Sequence, residues 1–92
     1  MAASVAFSLG RVVATPGALE ALGGSADAIT FLARHQSGGW GEVDTHDQRA
    51  NNLALVHGDR LLSAYTTSAG VRLWILTEAD RSATTLLLPS EY

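Results

Sequence analysis

The sequence predicts an α+β fold, a three-stranded antiparallel meander with room for one further N-terminal strand, packed on two to three short helices. Three observations carry this expectation. The stretch Leu61–Leu88, LLSAYTTSAGVRLWILTEADRSATTLLL, holds three apolar runs divided by two turn signals, Ser68-Ala69-Gly70 and Glu78-Ala79-Asp80-Arg81-Ser82. Ahead of it lie helix starts with capping residues, each closed by glycine. The chain has 92 residues, so one domain spanning 1–92 is expected, with a thin core.

Taken in order, Val5-Ala6-Phe7-Ser8-Leu9 alternates larger and smaller apolar residues, and Val12-Val13 resumes the pattern after Gly10-Arg11. A short strand is expected in this region, at an edge beside the meander. Thr15-Pro16 starts a first helix, because Thr caps well and Pro suits the first helical position. Leu19 and Leu22 are expected to share its inner face, and Gly23-Gly24 ends it. Ser25 is expected to cap the second helix, with Asp27 in its first turn and Ala28, Ile29, Phe31 and Leu32 as its apolar stripe. Gly38-Gly39 closes it, and Trp40 between glycines reads as a plug over the helix layer. Asp44 or Thr45 caps the third helix, and Thr45-His46-Asp47-Gln48 fits a capping box. Gly58 is its expected left-handed terminator.

The three-residue loop Ser68–Gly70 fixes a register for the sheet. It pairs Thr67 with Val71, Tyr65 with Leu73, Ser63 with Ile75 and Ala64 with Trp74. Pairing Ile75 with Leu86 adds the last strand, which Pro89 ends. One face then carries Leu61, Tyr65, Val71, Leu73, Ile75, Leu86 and Leu88. The other carries Leu62, Ala64, Trp74, Leu76 and Leu87. Both faces are apolar, so the second is expected to be covered by the N-terminal segment or by another subunit.

Composition removes several function classes. There is no Cys, which excludes disulfides and thiolate ligands. The six basic residues are all Arg, scattered singly in a chain of net charge −3, so no basic stripe for nucleic acid is visible. No stretch reaches the length of a membrane span. The N-terminus MAASVAFSLGRVV lacks a basic n-region, so no secretory signal is expected and a cytoplasmic location is. His35, His46 and His57 are evenly spaced. At 1.5 Å per residue the last two fall roughly 16 Å apart on one helix, too far for a shared tetrahedral ion. The acidic group Glu42, Asp44, His46 and Asp47 lacks the spacing of a calcium loop, and capping explains two of its members. No metal and no cofactor is expected. No nucleophile elbow, phosphate loop or dinucleotide fingerprint occurs, so no enzyme is expected.

Three stretches carry a resemblance: LGRVVATPGALEAL (Leu9–Leu22), FLARHQSGGWGEVD (Phe31–Asp44) and Arg60–Tyr92. Over nearly its whole length the chain resembles short bacterial proteins carried on plasmids and other mobile elements. These are described as plasmid-related proteins, and some are labelled subunit M of a type I restriction endonuclease. The 92 residues contain no glycine-rich cofactor loop and no N-P-P-[YF]-type motif, so methyl transfer is not expected. The resemblance implies an accessory of the mobile element: a non-catalytic protein-interaction module, of the anti-restriction or anti-CRISPR kind, that binds a host defence complex.

The surface expected to bind is Arg72, Trp74, Glu78, Asp80 and Arg81, since Trp and Arg are enriched at interface hot spots. The face bearing Trp74 is expected to meet a protein partner or a second copy in a homodimer, because a charged fraction of 16% leaves few residues to mask it. The alternative is a nucleic-acid-binding accessory of plasmid maintenance, with Tyr65 and Trp74 stacking on bases and Arg72 at the backbone. Net charge −3 weighs against that.

Overall fold

The meander forms in the register that the Ser68–Gly70 loop predicts. In the computed structural model, which describes residues 5–92, β2 (Leu61–Thr66) runs antiparallel to β3 (Arg72–Thr77), with Ser63 opposite Ile75, Ala64 opposite Trp74 and Tyr65 opposite Leu73. The strand β4 (Ala83–Leu87) follows antiparallel to β3, with Ile75 opposite Leu86. The N-terminal strand is β1 (Arg11–Ala14), at the edge beside the meander as expected, and it pairs parallel with β4. The sheet is therefore mixed and four-stranded, in the order β1-β4-β3-β2. The alternating stretch Val5–Leu9 is not itself a strand. Gly10, in a left-handed conformation, and Ser82 lie too close for anything but glycine, and the ladder begins only after that crossing. Met1–Ser4, where the reading for a signal begins, lie outside the described residues.

Gly70 takes φ 81° in the hairpin loop, with Gly70 N–H donating to the Thr67 carbonyl at 2.9 Å. Open space surrounds it, so a side chain there meets backbone strain and no clash. Gly70→Val is expected to lower stability by roughly 1–2 kcal/mol, read as a fall in melting temperature. Unchanged melting would show that the loop does not depend on a left-handed residue.

The helices α1 (Pro16–Leu22), α2 (Asp27–Gln36) and α3 (Thr45–His57) precede the meander. Thr15 caps α1 by accepting the Ala18 N–H, and Gly23 ends it left-handed. Asp44 caps α3 through the Asp47 N–H, and Gly58 ends it left-handed. For α2 the expected Ser25 cap is displaced by one residue: Ala26 occupies the cap position, and Ser25 Oγ accepts only the Asp27 N–H. The Asp27 carboxylate has another task. It takes the backbone N–H and hydroxyl of Ser68 at 2.8 and 2.9 Å, tying α2 to the β2–β3 hairpin.

Two expected inward residues face water. Leu19 is 59% and Ile29 76% exposed; Leu22 and Phe31 turn inward as expected, and they are joined inside by Ala18 of α1 and His35 of α2. With Tyr65, Leu73, Ile75 and Leu86, the apolar members of that set form the main core. Phe31 and Tyr65 rings stack at 4.7 Å. A second cluster joins Trp40, Ala54 and Leu61, with Phe7, Val43 and Leu55 against it. Trp40 is the plug that its setting predicts, and its Nε1–H donates to Asn52 Oδ1 at 3.0 Å.

The placement of Phe7 corrects one expectation. Among the described residues, Phe7 does not cover the Trp74 face. Phe7 packs edge-on to His35 and parallel to Trp40, on the helix side of the sheet, and Val5 is exposed.

Candidate functional site

The face of the sheet turned away from the helices carries Leu62, Ala64, Arg72, Trp74, Leu76, Thr85 and Leu87, as strand alternation requires. Neither of the two helix-packed clusters includes Leu62, Trp74, Leu76 or Leu87. Ala64, Leu76 and Leu87 are nonetheless buried. Trp74 is half-buried and stands edge-on to Tyr92 at 5.8 Å. Arg60 lies over the Tyr92 ring and donates to its hydroxyl. Tyr92 is held near the sheet by the 3₁₀ turn Pro89–Glu91, whose Glu91 carboxylate accepts from Thr15 Oγ1, Leu88 N–H and Gly17 N–H. These bonds, the Thr15 hydroxyl first, hold the Glu91 carboxyl below its usual range. A tryptophan, a tyrosine and an arginine thus share the side of the sheet turned away from the helices.

The other nominated residues do not gather into one patch. Arg72 is exposed and pairs with Glu42 at 3.3 Å, at the end of the face nearest the β2–β3 loop. Glu78 is half-buried, six residues along the same line. Asp80 is exposed, and its carboxylate accepts the Ser82 N–H at 2.9 Å, so hydrogen bonds from Ser82 keep it ionised below the ordinary carboxylate range. Arg81 leaves the face entirely. It has φ 62°, and its guanidinium donates to the carbonyls of Asp59, Glu78, Ala79 and Ala54, then lies over the Phe7 ring at 5.7 Å. Arg81 therefore clasps the C-terminal end of α3 to the β3–β4 turn. Tyr65, nominated for base stacking, is 1% exposed on the opposite face from Trp74, its hydroxyl donating to the Gly39 carbonyl at 2.5 Å. It has no surface to offer a base.

Sequence reasoning missed the polar centre of the interior. His35 is 0% exposed. Its Nδ1 lies 2.5 Å from Ser63 Oγ and its Nε2 2.8 Å from Thr77 Oγ1. Thr77 Oγ1 lies 2.7 Å from Thr84 Oγ1, which donates to the Leu9 carbonyl at 2.7 Å. A carbonyl only accepts, so the direction of every bond follows. Thr84 donates to Leu9, Thr77 to Thr84, His35 Nε2–H to Thr77, and Ser63 to the bare Nδ1. The imidazole is the neutral Nε2–H tautomer, and burial, then the Arg81 charge, depresses its pKa from 6.5 to about 4. Phe7 and Trp40 close over it edge-on at 5.2 and 5.7 Å. A serine donating to an imidazole is the pairing used by nucleophilic hydrolases. Here Ser63 is fully buried and a threonine, not a carboxylate, lies behind the ring. The legible signal was a column of hydroxyl residues, Ser63, Thr77 and Thr84, at inward sheet positions, which require a polar partner.

His46 and His57 sit exposed at the two ends of α3, away from His35. Among the described residues no three of His, Asp and Glu gather closely enough to hold an ion. A groove of about 340 Å³ between α1 and the β2–β3 loop is lined by Gly17, Glu20, Ala21, Ala69, Val71 and Leu88, and includes none of the nominated residues. Among the described residues no helix is long and apolar enough to cross a membrane. The fold defines an α+β protein whose mixed four-stranded sheet is covered by helices on one face. Comparison with protein-family models, with curated proteins and with solved structures found no match.

Proposed function

We propose that the protein is a non-catalytic interaction module that binds a protein partner through the sheet face bearing Trp74. One observation carries this reading: the helix-packed clusters include no residue of that face, and on its side Tyr92 touches both the half-buried Trp74 and Arg60. Aromatic and arginine side chains on a rigid sheet are the anchors that interface cores favour. Arg72 with Glu42 supplies a polar rim at one end. The resemblance to mobile-element proteins supports a counter-defence role, in which the partner is a host restriction or CRISPR complex and the site of action is the cytoplasm. The nucleic-acid alternative loses support, because Tyr65 is buried and one aromatic side chain remains of the stacking pair.

The test is capture of defence complexes by wild type and Trp74→Glu, followed by affinity measurement on the purified pair. Trp74→Glu is expected to melt as a folded protein and to bind at least about 30-fold more weakly, the ~2 kcal/mol of a hot-spot residue. Equal binding by wild type and variant would remove Trp74 from the interface. A salt-dependent shift of labelled DNA or RNA would favour the nucleic-acid reading instead. The charged fraction of 16% also supports self-association as a homodimer.

A further inference from the structure

The two edges of the sheet are finished differently. On the outer edge of β2, Asn51 accepts the Leu62 N–H at 3.1 Å and donates to its carbonyl at 2.8 Å. Ala64 N–H donates to the Trp40 carbonyl at 3.1 Å, and the Ala64 carbonyl accepts the Glu42 N–H at 2.7 Å. That edge is closed to any further strand. At the other edge, Arg11 N–H donates to Ser82 and Thr15 N–H to Leu86, each at 3.0 Å. The odd-numbered residues of β1 therefore face β4, and Val12 and Ala14 turn their N–H and C=O groups outward. Val12 is 45% and Val13 38% exposed. Proline, bulges and central charges usually guard such an edge. The strand Arg-Val-Val-Ala has none of them, its one charge lying at the first position.

We propose that the outer edge of β1 pairs antiparallel with β1 of a second copy, about a two-fold axis at Val13. The register follows from the donors available. Val12 opposite Ala14 of the second copy, and the reverse, joins every outward N–H and C=O of the two strands. Val13 then meets its own symmetry mate in the close, non-hydrogen-bonded position. Arg11 falls opposite Thr15, so the strand's single charge faces no like charge. A register centred on Val12 would need Gly10 as an extended partner for Ala14. Gly10 has φ 64° and its N–H is held by Ser8 Oγ, so that register is closed. An isologous contact of this kind closes on itself and stops at the dimer. It doubles the sheet to eight strands and sets two Trp74 faces on one side, a bivalent surface for a partner.

Because the chain contains no cysteine, a single introduced thiol reports the contact cleanly. Val13→Cys is expected to crosslink under mild oxidation at least about tenfold faster than Ile29→Cys on exposed α2, since pairing raises the effective thiol concentration. Sedimentation of the full chain is expected to show a dimer that Trp74→Glu retains. Val12→Pro removes an N–H that points away from β4, and is expected to give a folded monomer. A monomeric wild type at all concentrations would overturn the proposal. So would Val13→Cys crosslinking no faster than Ile29→Cys, or a dimer abolished by Trp74→Glu and kept by Val12→Pro. Should Val12→Pro unfold, the crosslinking rates decide alone.

Discussion

His35→Ala is expected to lose roughly 3–5 kcal/mol of folding stability. Two effects add. The imidazole fills interior space between Phe7, Trp40 and the sheet, and its removal leaves a cavity there. The hydroxyls of Ser63 and Thr77 also lose their ring partner, and both are 0% exposed, so water does not replace it without entering the core. A domain of 92 residues has a total stability of about 5–14 kcal/mol. The variant is therefore expected to be marginally folded, with early urea unfolding as the measurement. A loss below about 1 kcal/mol would mean that the relay contributes little beyond its volume.

The same residue sets the pH dependence. Folded His35 is held neutral with a pKa of about 4, against 6.5 when unfolded. Between those values the unfolded chain binds the extra proton, so acid favours unfolding. The contribution is complete above about pH 6.5 and is lost as pH falls through about 4. At 1.36 kcal/mol per pH unit it amounts to roughly 3 kcal/mol. Asp27, Asp80 and Glu91 add an acid limb of the same sign lower down, because hydrogen bonds depress each of them. The expected signature is a stability profile sloping from pH 6.5 downward in wild type. Replacing His35 by Gln should flatten the upper part and leave the carboxylate limb.

How much of this the sequence shows depends on whether the signal is local. The hairpin register follows from three loop residues and strand alternation, and the structure keeps it from Leu61 to Leu87. Caps at Thr15 and Asp44 and stops at Gly23 and Gly58 are equally local. The inner faces of short helices are not. In seven residues of α1, Leu19 and Ala18 compete for the inside, and contact with β4 decides for the smaller one. Ile29 loses in the same way to His35, because three hydroxyl residues on the sheet offer the histidine a site that no helical pattern reveals. Trp74 and Arg72 were legible as neighbours on one face of one strand. Arg81 was not legible as a clasp, since its acceptors are carbonyls from Ala54 to Ala79, which any sequence supplies.

Gly41→Ala is expected to cost roughly 3–5 kcal/mol, far beyond a change of propensity. Gly41 bridges to Ala64 where the chain lies against the edge of β2. A Cβ built there falls 2.1 Å from the Ala64 carbonyl oxygen and 2.7 Å from the Tyr65 ring. Neither obstacle yields easily. Ala64 is fixed between Trp74 on one side and the Trp40 and Glu42 backbone on the other, and Tyr65 is stacked on Phe31. The segment must lift away, breaking the two hydrogen bonds that Trp40 and Glu42 make to Ala64 on the β2 edge and loosening Trp40 from its cluster. Gly58 supplies the control. It has the same φ of 75°, with nothing within 4 Å of its would-be Cβ. Gly58→Ala therefore carries only the backbone strain, about 1 kcal/mol. The difference between the two melting temperatures isolates the close approach at Ala64. Hydrogen exchange should show the Ala64 amide exposed in Gly41→Ala and protected in Gly58→Ala. Equal losses in the two variants would mean that the 40–42 segment is not pressed against β2.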